Sequence, residues 1–199
     1  MKKILLLLCL LITYSFAFSQ TEKDKWFAAG YSSLRLDIGK EKYKSGGTTH
    51  EYNTYRHFDF NPMVGYFIID KLPVGLYVDL SARRVKDSDD GDIWKETEFV
   101  AGPFVRYYVV QIDKLVPFVE GRIGLGAYKE DDEGDIYKES VFSYRFGAGA
   151  SYFFTDNVAF DSFIGYDYDR YTSVDNADEY SYFYPSVEIN FGIVITFGK

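Results

Sequence analysis

The last strand-length segment constrains the fold most. Val187, Ile189, Phe191, Ile193, Ile195 and Phe197 fall on one side of a period of two, and Ser186, Glu188, Asn190, Gly192 and Thr196 on the other. Successive side chains of a β-strand point to opposite faces, so this pattern is a strand with one apolar and one polar face. Seven earlier segments carry the same period: Trp26 to Lys40, Tyr55 to Ile69, Val74 to Val85, Trp94 to Val110, Val116 to Tyr128, Val141 to Phe153 and Val158 to Tyr171. Eight strands are predicted. Beyond residue 20 no unbroken apolar run exceeds four residues, far short of the roughly 20 that a membrane helix needs.

The first residues follow another logic. Lys2 and Lys3 precede an apolar run from Ile4 to Ile12, and Ala17-Phe18-Ser19 offers small residues for cleavage, so residues 1–19 are read as a secretory signal and 20–199 as one barrel domain. Cys9, the only cysteine, leaves with that signal. Leu8 precedes it where lipidation wants a small residue, so no lipid anchor is expected. The mature chain then has no thiol for a disulfide, a metal or a nucleophile. Thirty acidic against 22 basic residues give a formal charge of −8, which excludes a basic nucleic-acid face.

The connections alternate in kind. Asp70 to Pro73, Gln111 to Leu115 and Thr155 to Asn157 are tight, whereas Glu41 to Thr54, Lys86 to Ile93, Lys129 to Ser140 and Thr172 to Glu179 are longer and polar. An up-and-down meander places all tight turns at one end and all long loops at the other. The polar face carries Arg35, Arg83, Arg106, Arg122 and Arg145 with Asp37, Asp59, Asp79, Glu96, Glu98, Glu120, Asp161, Asp167 and Glu188, and no Lys. A water-bathed face would accept Lys freely; an enclosed one favours Arg, whose fork serves several carboxylates. The polar face is therefore predicted to point inward. Tyr66, Tyr107, Tyr144, Tyr152, Tyr166 and Tyr168 on the apolar face suit the aromatic girdles of a membrane barrel. A soluble lipocalin-like barrel, with the faces exchanged, is the alternative.

In an antiparallel pair, opposed residues are set by the centre of the connection. Centring the second tight turn on Asp113 opposes Arg106 to Glu120, and centring the third on Asp156 opposes Arg145 to Asp167. The Lys86 to Ile93 loop sets Arg83 against Glu96, and the Asp70 to Pro73 turn brings Arg83 near Asp59. The expected interior network is Arg35, Asp37, Asp59, Arg83, Glu96, Arg106, Glu120, Arg122, Arg145 and Asp167.

Gly65-Tyr66-Phe67, Pro103-Phe104-Val105-Arg106-Tyr107-Tyr108, Pro117-Phe118-Val119-Glu120 and Gly149-Ala150-Ser151-Tyr152-Phe153 together resemble the small eight-stranded OmpA/OmpX-like outer-membrane β-barrels, of the porin-family type. The resemblance covers all of 20–199. It implies an all-β, antiparallel transmembrane barrel in the bacterial outer membrane, with short periplasmic turns and longer extracellular loops, in contact with lipid and lipopolysaccharide. It also implies an assembly signal read by the barrel-assembly machinery through Asn190, Gly192, Ile195 and Phe197; here Gly198 and Lys199 follow the aromatic that is usually terminal. No peptidoglycan-binding domain and no cofactor are expected, and the protein is read as a monomer.

Eight strands enclose space for little beyond their own side chains, so a non-enzymatic surface barrel with a filled polar interior is expected rather than a diffusion pore. Its extracellular ligand is not legible. The alternative is a lipid A-modifying acyltransferase or deacylase, for which only His50 and His57 offer an imidazole base; His57 shares a face with Asp37 and Asp59, near Ser33 or Ser81. Two acidic segments, Asp87 to Asp92 and Glu130 to Asp135, are read as solvated loop charge: neither has the spacing of an EF-hand.

Overall fold

The computed structural model describes residues 21–31, 36–45, 48–87, 93–132, 134–174 and 181–198, with the backbone alone at 36–55, 57, 86, 87 and 93. They form β1 (Trp26–Tyr31), β2 (Leu36–Ser45), β3 (Thr48–Ile69), β4 (Leu72–Asp87), β5 (Ile93–Tyr108), β6 (Leu115–Asp132), β7 (Asp135–Phe153), β8 (Val158–Ser173) and β9 (Ser181–Phe197). Every pairing is antiparallel and joins neighbours in the chain, except that β1 pairs with both β9 and β3. That double pairing closes the sheet. β1 lies against residues 61–66 of β3 and β2 against 48–58, so the two share one position in an eight-stranded barrel.

The three tight turns lie at one end. The first is the two residues Asp70-Lys71, with Lys71 at φ 68°. The opposite end departs from expectation. Of the Lys129 to Ser140 segment, predicted as a loop, most is strand: Lys129 opposes Lys138, Glu130 opposes Tyr137 and Asp132 opposes Asp135. The expected 41–54 loop is likewise strand, with Lys42 opposite Glu51 and a bulge at Glu41/Lys42. β3 is 22 residues long and β7 is 19. A tilted strand needs only about 9–11 residues to cross a bilayer, so these ribbons stand well beyond a membrane at the loop end.

Outward positions form an apolar belt that includes Val64, Leu76, Phe99, Leu125, Phe146, Ile164 and Ile189. Rings flank it. At the turn end Trp26 meets Tyr66 edge-on at 5.3 Å and Tyr152 meets Phe154 at 5.5 Å. Further along, Tyr144 stacks on Tyr168 at 4.9 Å and Phe146 lies 5.5 Å from Tyr166. Tyr144 and Tyr152 are eight residues apart on β7; with the rise and tilt of barrel strands that is roughly 20 Å along the axis, close to the height of a membrane barrel's apolar band.

The inside is not uniformly polar, as the composition of the polar face led us to expect. Phe27, Phe67, Tyr77, Phe104, Tyr108, Phe118, Phe153 and Phe163 are buried there with the charged groups. Glycines on neighbouring strands make room for these rings. A Cβ at Gly149 would come 2.5 Å from the Phe118 ring, and one at Gly124 would come 2.3 Å from the Tyr77 hydroxyl.

Candidate functional site

The lumen is crossed by side chains in tiers. At the turn end Phe27, Phe67, Tyr108 and Phe118 pack ring against ring, with Phe67 stacked on Tyr108 at 6.1 Å. Arg106 of β5 lies directly among them and is fully buried. Its Nε donates to Glu120 at 2.8 Å and its Nη1 to Asp161 at 2.6 Å and to Tyr108 Oη at 3.1 Å, and Nη2 reaches Tyr31. Its guanidinium carbon sits 3.9 Å from the Phe118 ring centre and 4.9 Å from that of Phe27. Asp161 in turn accepts from Ser151 at 2.5 Å and from Tyr31 at 3.0 Å. Arg106 and Asp161 belong to strands three places apart, so the pair bridges the lumen instead of following one ladder.

The next tier uses two more arginines. Arg122 approaches Asp79 at 3.4 Å and lies 4.8 Å from the Tyr77 ring centre, while Asn61 donates to Asp79 at 2.7 Å. Arg145 pairs with Asp167 and, at 2.9 Å, with Glu188. Above them Tyr171 of β8 donates to Glu98 of β5 across the barrel at 2.8 Å, and Tyr182 donates to Glu139.

Of the residues singled out from sequence, the register opposes Arg106 to Glu120, Arg145 to Asp167 and Arg83 to Glu96. Arg83 differs from the first two in setting: it lies at the loop end, 45% exposed, 3.8 Å from Glu96 and 5.6 Å from the Trp94 ring centre. The expected approach of Arg83 to Asp59 is not found. Arg83 opposes His57, and Asp59 opposes Ser81. The cause is the Asp70-Lys71 turn, which lets Leu72 and Pro73 into the strand and shifts the ladder. Arg35 lies outside the described residues; Asp37 is placed by backbone only, opposite His57. His50 is likewise placed by backbone only, opposite Tyr43. Sequence reasoning left Asp79, Asp161, Glu188, Tyr31, Tyr108 and Ser151 out of the network. A signal for two of them was present, since Phe104, Arg106 and Tyr108 share a face, and Ser151 opposes Asp161 across the third tight turn.

The four residues of the expected assembly signal lie on β9: Asn190 and Gly192 face inward and Ile195 and Phe197 outward. Residues 88–92 and 133 of the two acidic segments lie outside the described residues. Among the described residues no three carboxylate, imidazole or thiol groups converge as a metal site, and no helix is long and apolar enough to cross a membrane.

A family model described as "Outer membrane protein beta-barrel domain" matches residues 5–197. The chain is also similar in structure to the N-terminal β-barrel domain of Pseudomonas aeruginosa OprF, at 14% identity over 88% of this chain and 98% of that one, with a TM-score of 0.42. Neisserial surface protein A is 17% identical over 87% of this chain and 96% of its own, with a TM-score of 0.42. The outer membrane protein OprG of Pseudomonas aeruginosa is 12% identical over 90% and 99%, with a TM-score of 0.44. The comparison with curated proteins gives no match.

Proposed function

This chain belongs to the outer membrane protein beta-barrel domain family, and from that premise we propose that it is a non-enzymatic, closed-lumen barrel of the outer membrane, exported by its signal sequence, whose strand ends and hairpin tips make contacts outside the cell. One observation carries the reading: the fully buried Arg106 ties β5 to Asp161 of β8 across the lumen, with Phe27 and Phe118 packed on its faces. Water and solutes have no evident path past a side chain held by two carboxylates and two rings. The energy of the interior goes into holding the wall closed, and the parts left for recognition are the ribbons beyond the membrane. Their acidic tips, including Glu130, Asp131 and Asp132, would meet a cationic partner or lipopolysaccharide-bound cations.

The test joins two measurements. Purified barrel in planar bilayers is expected to give no steady open-channel conductance, and cells lacking the gene are expected to keep an unchanged set of lipid A species. Altered lipid A, restored by the wild type and not by His57→Ala, would move the assignment to a lipid A-modifying enzyme. A stable conductance of nanosiemens size would make it a pore.

A further inference from the structure

At the loop end the outward face carries cations where the belt below it carries apolar groups. Arg56 of β3 is directly opposed to Arg84 of β4, and Arg84 to Lys95 of β5, so three like charges stand side by side across three strands. Next to them Lys129 of β6 opposes Lys138 of β7. All five are exposed, and none has an ion pair among the described residues. Like charges directly opposed on one face destabilise a sheet unless something neutralises them. The arrangement is therefore incomplete without an anion.

The height of the row says where that anion lies. Arg56 is ten residues along β3 from Tyr66 in the turn-end girdle, which is roughly 25 Å along the axis of a tilted strand, the height of the apolar band. The row thus stands where acyl chains give way to headgroups. Immediately beside it is a groove of about 310 Å³ with Phe58, Ala82 and Thr97 in its lining and Arg56, Arg84 and Lys95 around it. Phe58 is 44% exposed and stacks on Phe60 at 6.5 Å, giving a ring surface continuous with the belt below. Cations above and an apolar slot below match an amphiphile with an anionic head.

We infer that Arg56, Arg84 and Lys95 form a docking site for the phosphorylated sugar headgroup of an outer-leaflet lipid, the lipid A part of lipopolysaccharide, with Lys129 and Lys138 extending the positive rim. The inference rests on the orientation that places the tight turns in the periplasm. A partner on this side presents phosphates rather than single carboxylates, and two adjacent arginines bind phosphate by paired hydrogen bonds.

Native mass spectrometry of the refolded barrel, titrated with bisphosphorylated lipid A and with the same lipid A enzymatically dephosphorylated, tests the site. The wild type is expected to prefer the phosphorylated form by at least tenfold. Arg56→Gln/Arg84→Gln/Lys95→Gln is expected to lose roughly a hundredfold in affinity for it, since each basic residue near an anionic surface contributes about 1 kcal/mol. Lys71→Gln/Lys114→Gln at the other end is expected to bind like the wild type. Equal binding of the two lipid forms by the wild type would overturn the site even if the triple variant failed to fold, as would unchanged binding by a folded triple variant. Labelling of Lys95 on intact cells with a membrane-impermeant amine reagent checks the orientation separately: absence of label with retained binding in vitro would invert the topology and leave the site itself standing.

Discussion

Replacing Arg106 with Met leaves the volume of the lumen nearly unchanged but strands Glu120 and Asp161, both buried, without their cation. Breaking a buried ion pair from one side costs about 3–5 kcal/mol, because the abandoned charge stays out of water. Two carboxylates are abandoned here, so the upper end of that range is expected. With a urea slope of about 2 kcal/mol per molar, the unfolding midpoint of the refolded barrel in detergent should fall by roughly 2 M. The decisive comparison is the triple variant Arg106→Met/Glu120→Gln/Asp161→Asn. It removes the charges together, and buried pairs exchanged as a unit for neutral groups often cost little. Recovery of most of the lost stability is expected, with a coupling of several kcal/mol in the cycle. Intrinsic Trp fluorescence and the shift in electrophoretic mobility on heating both follow the transition. A single variant within 1 kcal/mol of wild type would refute the reasoning, and so would a triple variant as unstable as the single one.

Other sites rank by burial. Arg145→Ala, which frees Asp167 and Glu188, should lower the same midpoint far more than Lys129→Ala on the outer ribbon, where the effect should stay within about 0.5 kcal/mol. Arg83→Gln should cost less than about 1 kcal/mol, because the pair with Glu96 is half exposed and 3.8 Å apart. Gly102→Val should abolish refolding, since an added Cβ would lie 1.9 Å from the Ile123 carbonyl oxygen of the adjacent strand; folded yield on a heat-modifiability gel measures it. Phe197→Ala should cut the amount of barrel inserted in cells while leaving refolding into detergent within twofold of wild type, if the last strand carries the assembly signal.

What was legible in the sequence follows from where physical constraints act. In the belt, one face meets lipid and the other a crowded lumen, so period two is enforced and strands such as 187–197 can be drawn from the letters. Beyond the belt both faces of a ribbon meet water. Lys42, Glu51, Lys129 and Lys138 therefore show no alternation, and the segments holding them read as loops although they are paired strands. Two turns with Asp at their centre set the register for Arg106 and Arg145, whereas Pro73 misled: a proline usually marks a turn, and here it sits inside β4 opposite Phe67. The lumen aromatics were obscured for a related reason. Phe and Tyr occupy both faces, and only their shared parity with Arg106, Glu120 or Gly149 separates Phe104 and Phe118 from the outward Phe99 and Phe146. The carboxylate partners drawn from other strands, Asp79 for Arg122 and Asp161 for Arg106, depend on closure of the barrel, which no local arithmetic supplies.

The central claim is that the apolar face of each strand meets lipid and the charged face is enclosed. With Cys9 in the signal, the mature chain has no cysteine, so single nitroxide labels can be placed at each position from Val187 to Phe197 in barrels reconstituted in vesicles. Oxygen, which concentrates in the acyl region, should relax the labels at positions 189, 191, 193 and 195 strongly and those at 190, 192 and 194 weakly, giving a period of two along β9. Labels at 189–195 that respond alike, or that respond to a water-soluble nickel reagent at the odd positions, would contradict the account.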